Sequence, residues 1–96
     1  WQQNKLKEYH SEISEILRKY IEGRFNCLAL EATTDEIMTS LKNQLSDELN
    51  IDLRNVLQTA DLAKFAKSKP GDKENIDSMI LAKKFVNQTK ISEENE

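Results

Sequence analysis

Only two glycines, Gly23 and Gly71, and one proline, Pro70, punctuate this chain of 96 residues. A many-stranded sheet needs turn formers at nearly every strand end, so a β-sandwich or barrel is excluded and helices remain. Hydrophobic residues make up 38% and charged residues 32%, a balance in which each helix buries one apolar stripe and solvates its other face. The length fits one domain, and no stretch has the unbroken apolar character of a bilayer span. Lys and Arg number 14 against 17 Asp and Glu, a net charge of −3, which removes the basic footprint that sequence-independent nucleic-acid binding requires. One cysteine, Cys27, rules out an internal disulfide framework, and with His10 as the sole imidazole the chain cannot supply a thiolate and imidazole metal site. The expectation is an all-α fold, a compact bundle of four helices at about 5–24, 34–48, 53–67 and 73–89 with short connections.

In the first helix Leu6, Tyr9, Ile13, Ile16, Tyr20 and Phe25 recur at alternating steps of three and four, with Leu17 and Ile21 widening the stripe. Lys7, Glu12, Glu15, Arg18, Lys19 and Glu22 take the opposite face, where the pairs Glu15/Lys19 and Arg18/Glu22 add about 0.2–0.5 kcal/mol each. Gly23 and Asn26 tolerate the left-handed conformation and bracket the helix end. The apolar connector Cys27-Leu28-Ala29-Leu30 reads as a turn or short 3₁₀ piece. Thr33-Thr34-Asp35-Glu36 is a capping box: the Thr33 hydroxyl accepts from the Glu36 N–H, and the Glu36 carboxylate reaches back to the Thr33 N–H. Ala32 or Leu30 is placed to pack on Ile37, and Ile37, Met38, Leu41, Leu45 and Leu49 carry the second stripe to residues 48–50.

Asn50-Ile51-Asp52 reads as a tight connection in which Asp52 or Asn50 caps the third helix. The apolar face of that helix is Leu53, Val56, Leu57, Ala60 and Ala63, followed by one of Lys64, Phe65 or Ala66. Asp61 beside this stripe is expected to be a structural anchor pairing with a Lys or Arg of the first helix. Ser68-Lys69-Pro70-Gly71 stops the helix. Asp72 is the expected N-cap of the fourth helix, whose buried side is assigned to Ile76, Met79, Ile80, Ala82, Phe85 and Val86. Residues 91–96 read as an acidic, disordered tail beyond a single domain at 1–90.

Catalytic chemistry is hard to assemble from these residues. His10 has no nucleophile or carboxylate placed against it and is assigned to the surface or to helix packing. Cys27 lies among apolar residues, where a thiol is usually a small buried hydrophobe. The carboxylate pairs Asp35/Glu36, Asp47/Glu48 and Glu93/Glu94 are adjacent and diverge by about 100° on a helix. Two glycines cannot build a phosphate loop or a nucleophile elbow. Residues 60–90 hold seven lysines against four acids, so a basic edge surrounds the Pro70 turn.

Taken in order, Trp1-Gln2-Gln3, Glu8-Tyr9-His10-Ser11-Glu12-Ile13, the run from Ile16 to Phe25, the run from Ala29 to Ile37 and Ala60-Asp61-Leu62-Ala63-Lys64-Phe65-Ala66-Lys67 carry a resemblance. The chain resembles the C-terminal helical domain of BatD-type membrane proteins of the bacterial Bat aerotolerance operons. It departs from that pattern at Asn4, where Gly is usual, and at Gly23, where an acidic residue is more common. The resemblance implies a parent with an extracytoplasmic β-rich region and one membrane helix, and places this domain on the cytoplasmic face of the inner membrane. It implies partners among MoxR-type AAA ATPases and von Willebrand A-domain proteins, and no cofactor or catalytic residue. The start at Trp1, with no initiator Met, fits a piece of a longer chain.

The expected function is therefore a non-enzymatic protein-interaction module. Its candidate surface comprises Tyr9 and Tyr20, the turn from Thr33 to Ile37, and the lysines Lys64, Lys67, Lys69 and Lys73. The alternative from a different class is a thiol-based enzyme or redox sensor using Cys27, with His10 or a carboxylate as auxiliary.

Overall fold

A computed structural model describes residues 3–65 and 71–90, with side chains from residue 5 onward. Among the described residues are four α-helices, α1 (Gln3–Arg24), α2 (Thr34–Leu41), α3 (Asp47–Phe65) and α4 (Asp72–Thr89), with a 3₁₀ turn at Ala29–Glu31 and no strand. The fold is the all-α four-helix bundle expected from the scarcity of turn formers. The long helices α1, α3 and α4 pack against one another, and short α2 lies on α3. Tyr9 reaches Asn75 while Tyr20 and Arg24 reach Thr89, so α1 and α4 run parallel. Lys84, late in α4, meets Glu48 and Asp52, early in α3, so α3 is antiparallel to α4.

The core is aliphatic. Ile13, Leu17 and Ile21 of α1, Ile37, Met38 and Leu41 of α2, and Leu49, Leu53, Val56 and Leu57 of α3 form one cluster with Phe25, Ala29, Ala82 and Phe85. Full burial of side chains of this size contributes about 1.5–3 kcal/mol each. The stripe of α1 is rotated from its sequence reading: Leu6, His10, Ile13, Leu17 and Ile21 lie at its centre, Tyr9 and Tyr20 are half-buried at its edge, and Ile16 is 64% exposed. The apolar face of α3 holds for Leu53 through Ala63, whereas Lys64 and Phe65 point outward. Ala66, Lys67, Ser68, Lys69 and Pro70, together with residues 1, 2 and 91–96, lie outside the described residues.

The boundary between α2 and α3 differs most from expectation. α2 ends at Leu41, not near residue 48, and α3 begins at Asp47, not at 53. Ser46 supplies the cap, its hydroxyl accepting the Leu49 N–H at 3.2 Å while its carbonyl accepts the Asn50 N–H at 2.9 Å. Asp47 and Glu48 then sit in the first turn, where carboxylates favour the positive end of the helix dipole. Asn50-Ile51-Asp52 is thus helix and no connection. Asn50 sends its amide back to the Lys42, Leu45 and Ser46 carbonyls, fastening the turn that precedes the helix. Asp52 caps nothing; it is a buried helical residue paired with Lys84 at 2.8 Å.

The capping box at α2 forms as read, with Glu36 N–H to Thr33 Oγ1 at 3.2 Å and Thr33 N–H to Glu36 Oε1 at 2.9 Å. Those bonds, from the Thr33 backbone above all, hold the Glu36 carboxyl below its ordinary value. Ala32 is the residue that packs on the core holding Ile37, and Leu30 stays 45% exposed. At α4 the N-cap is Gly71, one residue before the expected Asp72; its N–H donates to Glu74 Oε2 at 3.0 Å. Capping at Asp72 would put Asn75 at the third helical position, whereas Asn75 is buried and bonded to α1.

The buried side of α4 is also not the assigned one. Asn75, Ser78, Ala82, Phe85 and Thr89 face inward, while Ile76 and Ile80 are 57% and 56% exposed and Met79 and Val86 are only partly covered. Partners on α1 explain the rotation. His10, 1% exposed, has Nε2 at 2.8 Å from Asn75 Oδ1, and the Tyr9 hydroxyl donates to the Asn75 carbonyl at 2.8 Å. Burial raises the Tyr9 pKa above its ordinary value. Tyr20 shares a 2.7 Å hydrogen bond with Thr89 Oγ1, and Arg24 donates to the Thr89 carbonyl at 2.6 Å. Turning Ile76 and Ile80 inward would bury fewer polar atoms but leave His10 unpaired in the core, a cost of about 1–3 kcal/mol.

Candidate functional site

An open groove of about 760 Å³ runs between α1 and the C-terminal half of α3, closed at its floor by the 3₁₀ turn and the start of α2. The floor is set by Arg18. Its side chain leaves α1 toward the groove, Nε donating to Ser14 Oγ at 3.0 Å and Nη1 to the Ala29 carbonyl at 3.1 Å and to the Ala32 carbonyl. The Ala32 carbonyl, just past the 3₁₀ turn, gains its donor this way, and the Ala29 carbonyl, which also accepts the Ala32 N–H at 3.2 Å, gains a second. Glu22 secures the same turn by accepting the Leu30 N–H. The expected Arg18/Glu22 ion pair therefore does not form, because each partner is committed to the turn. Glu15 and Lys19 do pair, at 3.4 Å, with both side chains largely in solvent, where such a pair contributes little.

Asp61 closes the far wall. It anchors as expected, but to α2: Thr34 Oγ1 donates to Asp61 Oδ2 at 2.6 Å. The expected Lys or Arg of α1 is not its partner, since Arg18 turns to the backbone. Over this polar frame stand Leu30, Leu62 and Phe65, exposed by 45%, 52% and 72%. Three large apolar side chains along one groove rim differ from a scattered exposed Leu, which needs no explanation.

The residues expected to form the interaction surface fall into separate groups. Tyr9 and Tyr20 are half-buried and their hydroxyls are engaged with α4. Lys64 lines the groove and holds its ammonium 5.0 Å from the Phe65 ring centre. Lys73 is exposed and lies 3.8 Å from Asp77. Lys67 and Lys69 lie outside the described residues. The groove rim of Leu30, Leu62 and Phe65 was not singled out, because apolar residues beside a helical stripe read as an extension of the core.

The structure does not bring the thiol and the imidazole together. Cys27 is partly covered and packs on the core beyond the end of α1, whereas His10 lies on α1 well before its last residue, Arg24, about 21 Å back along the helix axis. His10 is engaged with Asn75 and stacks edge-on against Tyr9 at 5.1 Å. Among the described residues no group of three or more His, Cys, Asp or Glu side chains is placed to hold a metal ion, and no helix is long and apolar enough to cross a membrane. Neither a protein-family model, nor a curated protein, nor a solved structure matches the chain.

Proposed function

We propose that this chain is a non-enzymatic protein-interaction module that takes a partner segment in the groove between α1 and α3. The observation that carries the reading is the row Leu30, Leu62 and Phe65 mounted on a frame already hydrogen-bonded within itself. Arg18 and Asp61 hold the groove open without needing a ligand, and a preformed groove lowers the ordering cost of binding. The residue resemblance supports the finer form of the proposal: a cytoplasmic domain of a BatD-like membrane-anchored protein, acting with a MoxR-type ATPase and von Willebrand A-domain proteins.

Calorimetric titration of the chain with purified MoxR-type ATPase and A-domain protein from its own genome tests both levels. Saturable binding that drops at least tenfold in the paired variant Leu62→Ser and Phe65→Ser supports the proposal. Binding unchanged by those exposed substitutions removes the groove from it, and no binding to either protein removes the BatD-like assignment of partners.

A further inference from the structure

The groove between α1 and α3 continues the path of a helix. Short α2 spans 8 residues, about 12 Å, whereas α3 beside it spans 19, about 28 Å. The hydrogen bond from Thr34 to Asp61 sets the start of α2 beside Asp61, and the turn after Leu41 joins its other end to the start of α3, so the two run antiparallel. Past Thr34 the same lane stays open along the last turn of α3, with Leu62 and Phe65 standing over it. On the opposite wall Ser11 and Ser14 are small, which leaves depth for a side chain arriving between the helices.

Backbone hydrogen bonding decides what can lie in that lane. Bound segments recur as an added strand, a helix laid in a groove, or a polyproline stretch on aromatic rings. Strand addition needs a free sheet edge, and no strand exists among the described residues. Both walls are helix, so the N–H groups from Ser11 to Arg18 and from Ala60 to Phe65 are spent within α1 and α3. At the floor the Leu30 N–H is held by Glu22, those of Glu31 and Ala32 by turn carbonyls, and that of Thr33 by Glu36. An extended segment would therefore lose water from its carbonyls with no row of donors to replace it. Phe65 is the one aromatic ring among the described lining residues, too few for a polyproline stretch. A helix arrives with its backbone already paired.

We infer that the occupant of this groove is an amphipathic α-helix of a partner protein, its apolar residues at i, i+3 and i+7 seated against Leu30, Leu62 and Phe65. The inference rests on the partner-groove reading above and adds the form of the partner. α2 is its precedent within the chain: Ile37, Met38 and Leu41 bury in a core shared with α1 and α3, and the partner helix extends that packing past the capping box. The α1 wall from Ser11 to Arg18 is about 10 Å long, near two helical turns. A segment that short is marginal as a helix in water, so it gains helix as it docks.

The test is selection against the full 96-residue chain from three displayed libraries of peptides about 16 residues long. One library is patterned for a helix with leucines at i, i+3 and i+7, one for a strand with alternate leucines, and one is rich in proline. Binders are expected from the helical library, with helical circular dichroism appearing on binding and affinity falling at least tenfold against the paired variant Leu62→Ser and Phe65→Ser. Proline placed in the middle of a selected peptide is expected to abolish its binding. Circular dichroism of the paired variant alone checks that its exposed changes leave the bundle folded. Strand or proline-rich binders that weaken against the paired variant overturn the helical partner and leave the groove standing. Selected helices indifferent to Leu62 and Phe65, or no binder from any library, overturn the inference together with the groove.

Discussion

Helices α3 and α4 have nearly equal lengths, 19 and 18 residues, and both pack on α1, yet they are held there by different means. α3 presents Leu49, Leu53, Val56, Leu57, Ala60 and Ala63 to the core, a surface whose attraction follows buried area and is indifferent to small rotations. α4 presents Asn75, Ser78, Ala82, Phe85 and Thr89. Its one large apolar anchor is Phe85, set against Tyr20 and Phe25 at ring distances of 6.2 and 6.4 Å. The rest of its attachment is directional: Asn75 to His10 and Tyr9, Thr89 to Tyr20 and Arg24, Lys84 to Asp52 and Glu48. Hydrogen bonds add little net stability individually but exact a high cost when broken inside a protein. Area therefore fixes where α3 lies, whereas α4 is fixed mainly in rotation and register.

Removing the α4 anchor gives the largest expected effect. Phe85→Ala is expected to cost about 3–5 kcal/mol, against about 2–5 kcal/mol for Leu57→Ala in α3. Chemical denaturation measures both. The contrast sharpens in hydrogen exchange, where Phe85→Ala lowers protection in α4 more than in α3, while Leu57→Ala lowers both together. Equal loss across the bundle after Phe85→Ala would show that α4 is no more separable than α3.

The directional contacts come next. His10→Ala and Asn75→Ala each strand a buried partner and are expected to cost about 1–3 kcal/mol. Their double variant is expected to cost less than the sum by at least 0.5 kcal/mol, on the order of coupling between residues in contact. Strict additivity in the cycle would remove this pair from the account of how α4 is oriented. Arg18→Met keeps an aliphatic stem but removes the side-chain donor to the Ala32 carbonyl and one of the two donors to the Ala29 carbonyl. A loss of about 1–2 kcal/mol is expected, with faster exchange in residues 28–33 and none of the change confined to α4.

The smallest effect is in pH dependence. Burial raises the Tyr9 pKa, and the Lys84 pKa is raised first by its hydrogen bond to Asp52 and then by that to Glu48. Both groups keep their proton longer in the folded chain than in the unfolded one. Their contribution is therefore complete below the unfolded values, 10.0 for Tyr9 and 10.5 for Lys84, and is lost as pH rises through the folded values. Both tie α4, to α1 and to α3. Thermal melts between pH 9 and about pH 12 are expected to show stability falling, with Tyr9→Phe and Lys84→Met each flattening the slope.

The same contrast decides what was legible in the sequence. The face of α3 follows from apolar spacing, and the capping box at Thr33 and Glu36 from local pattern alone. The break between α2 and α3 was hidden because Leu41, Leu45 and Leu49 keep a spacing of four across it. The local signal was present nonetheless in Ser46-Asp47-Glu48, a capping residue followed by two acids. The inner face of α4 could not be read from hydrophobic period, since its buried residues are chosen by partners 65 to 69 positions away. At the groove, Arg18 and Glu22 look like a surface ion pair by spacing, and only the folded-back 3₁₀ turn gives each a better partner.

The clasp of Arg18 on Ala29 and Ala32 spans 11 and 14 residues, whereas every link between α1 and α4 closes more than 60 residues of chain. Short loops close at a lower entropic cost and sooner. The chain can therefore fasten residues 3–33 into a helix with its tail turned back before α4 has anything to dock on. In a chain emerging from the ribosome, the groove between α1 and α3 would be framed from one side early, whereas the contact of α1 with α4 would exist only once the last helix is in place.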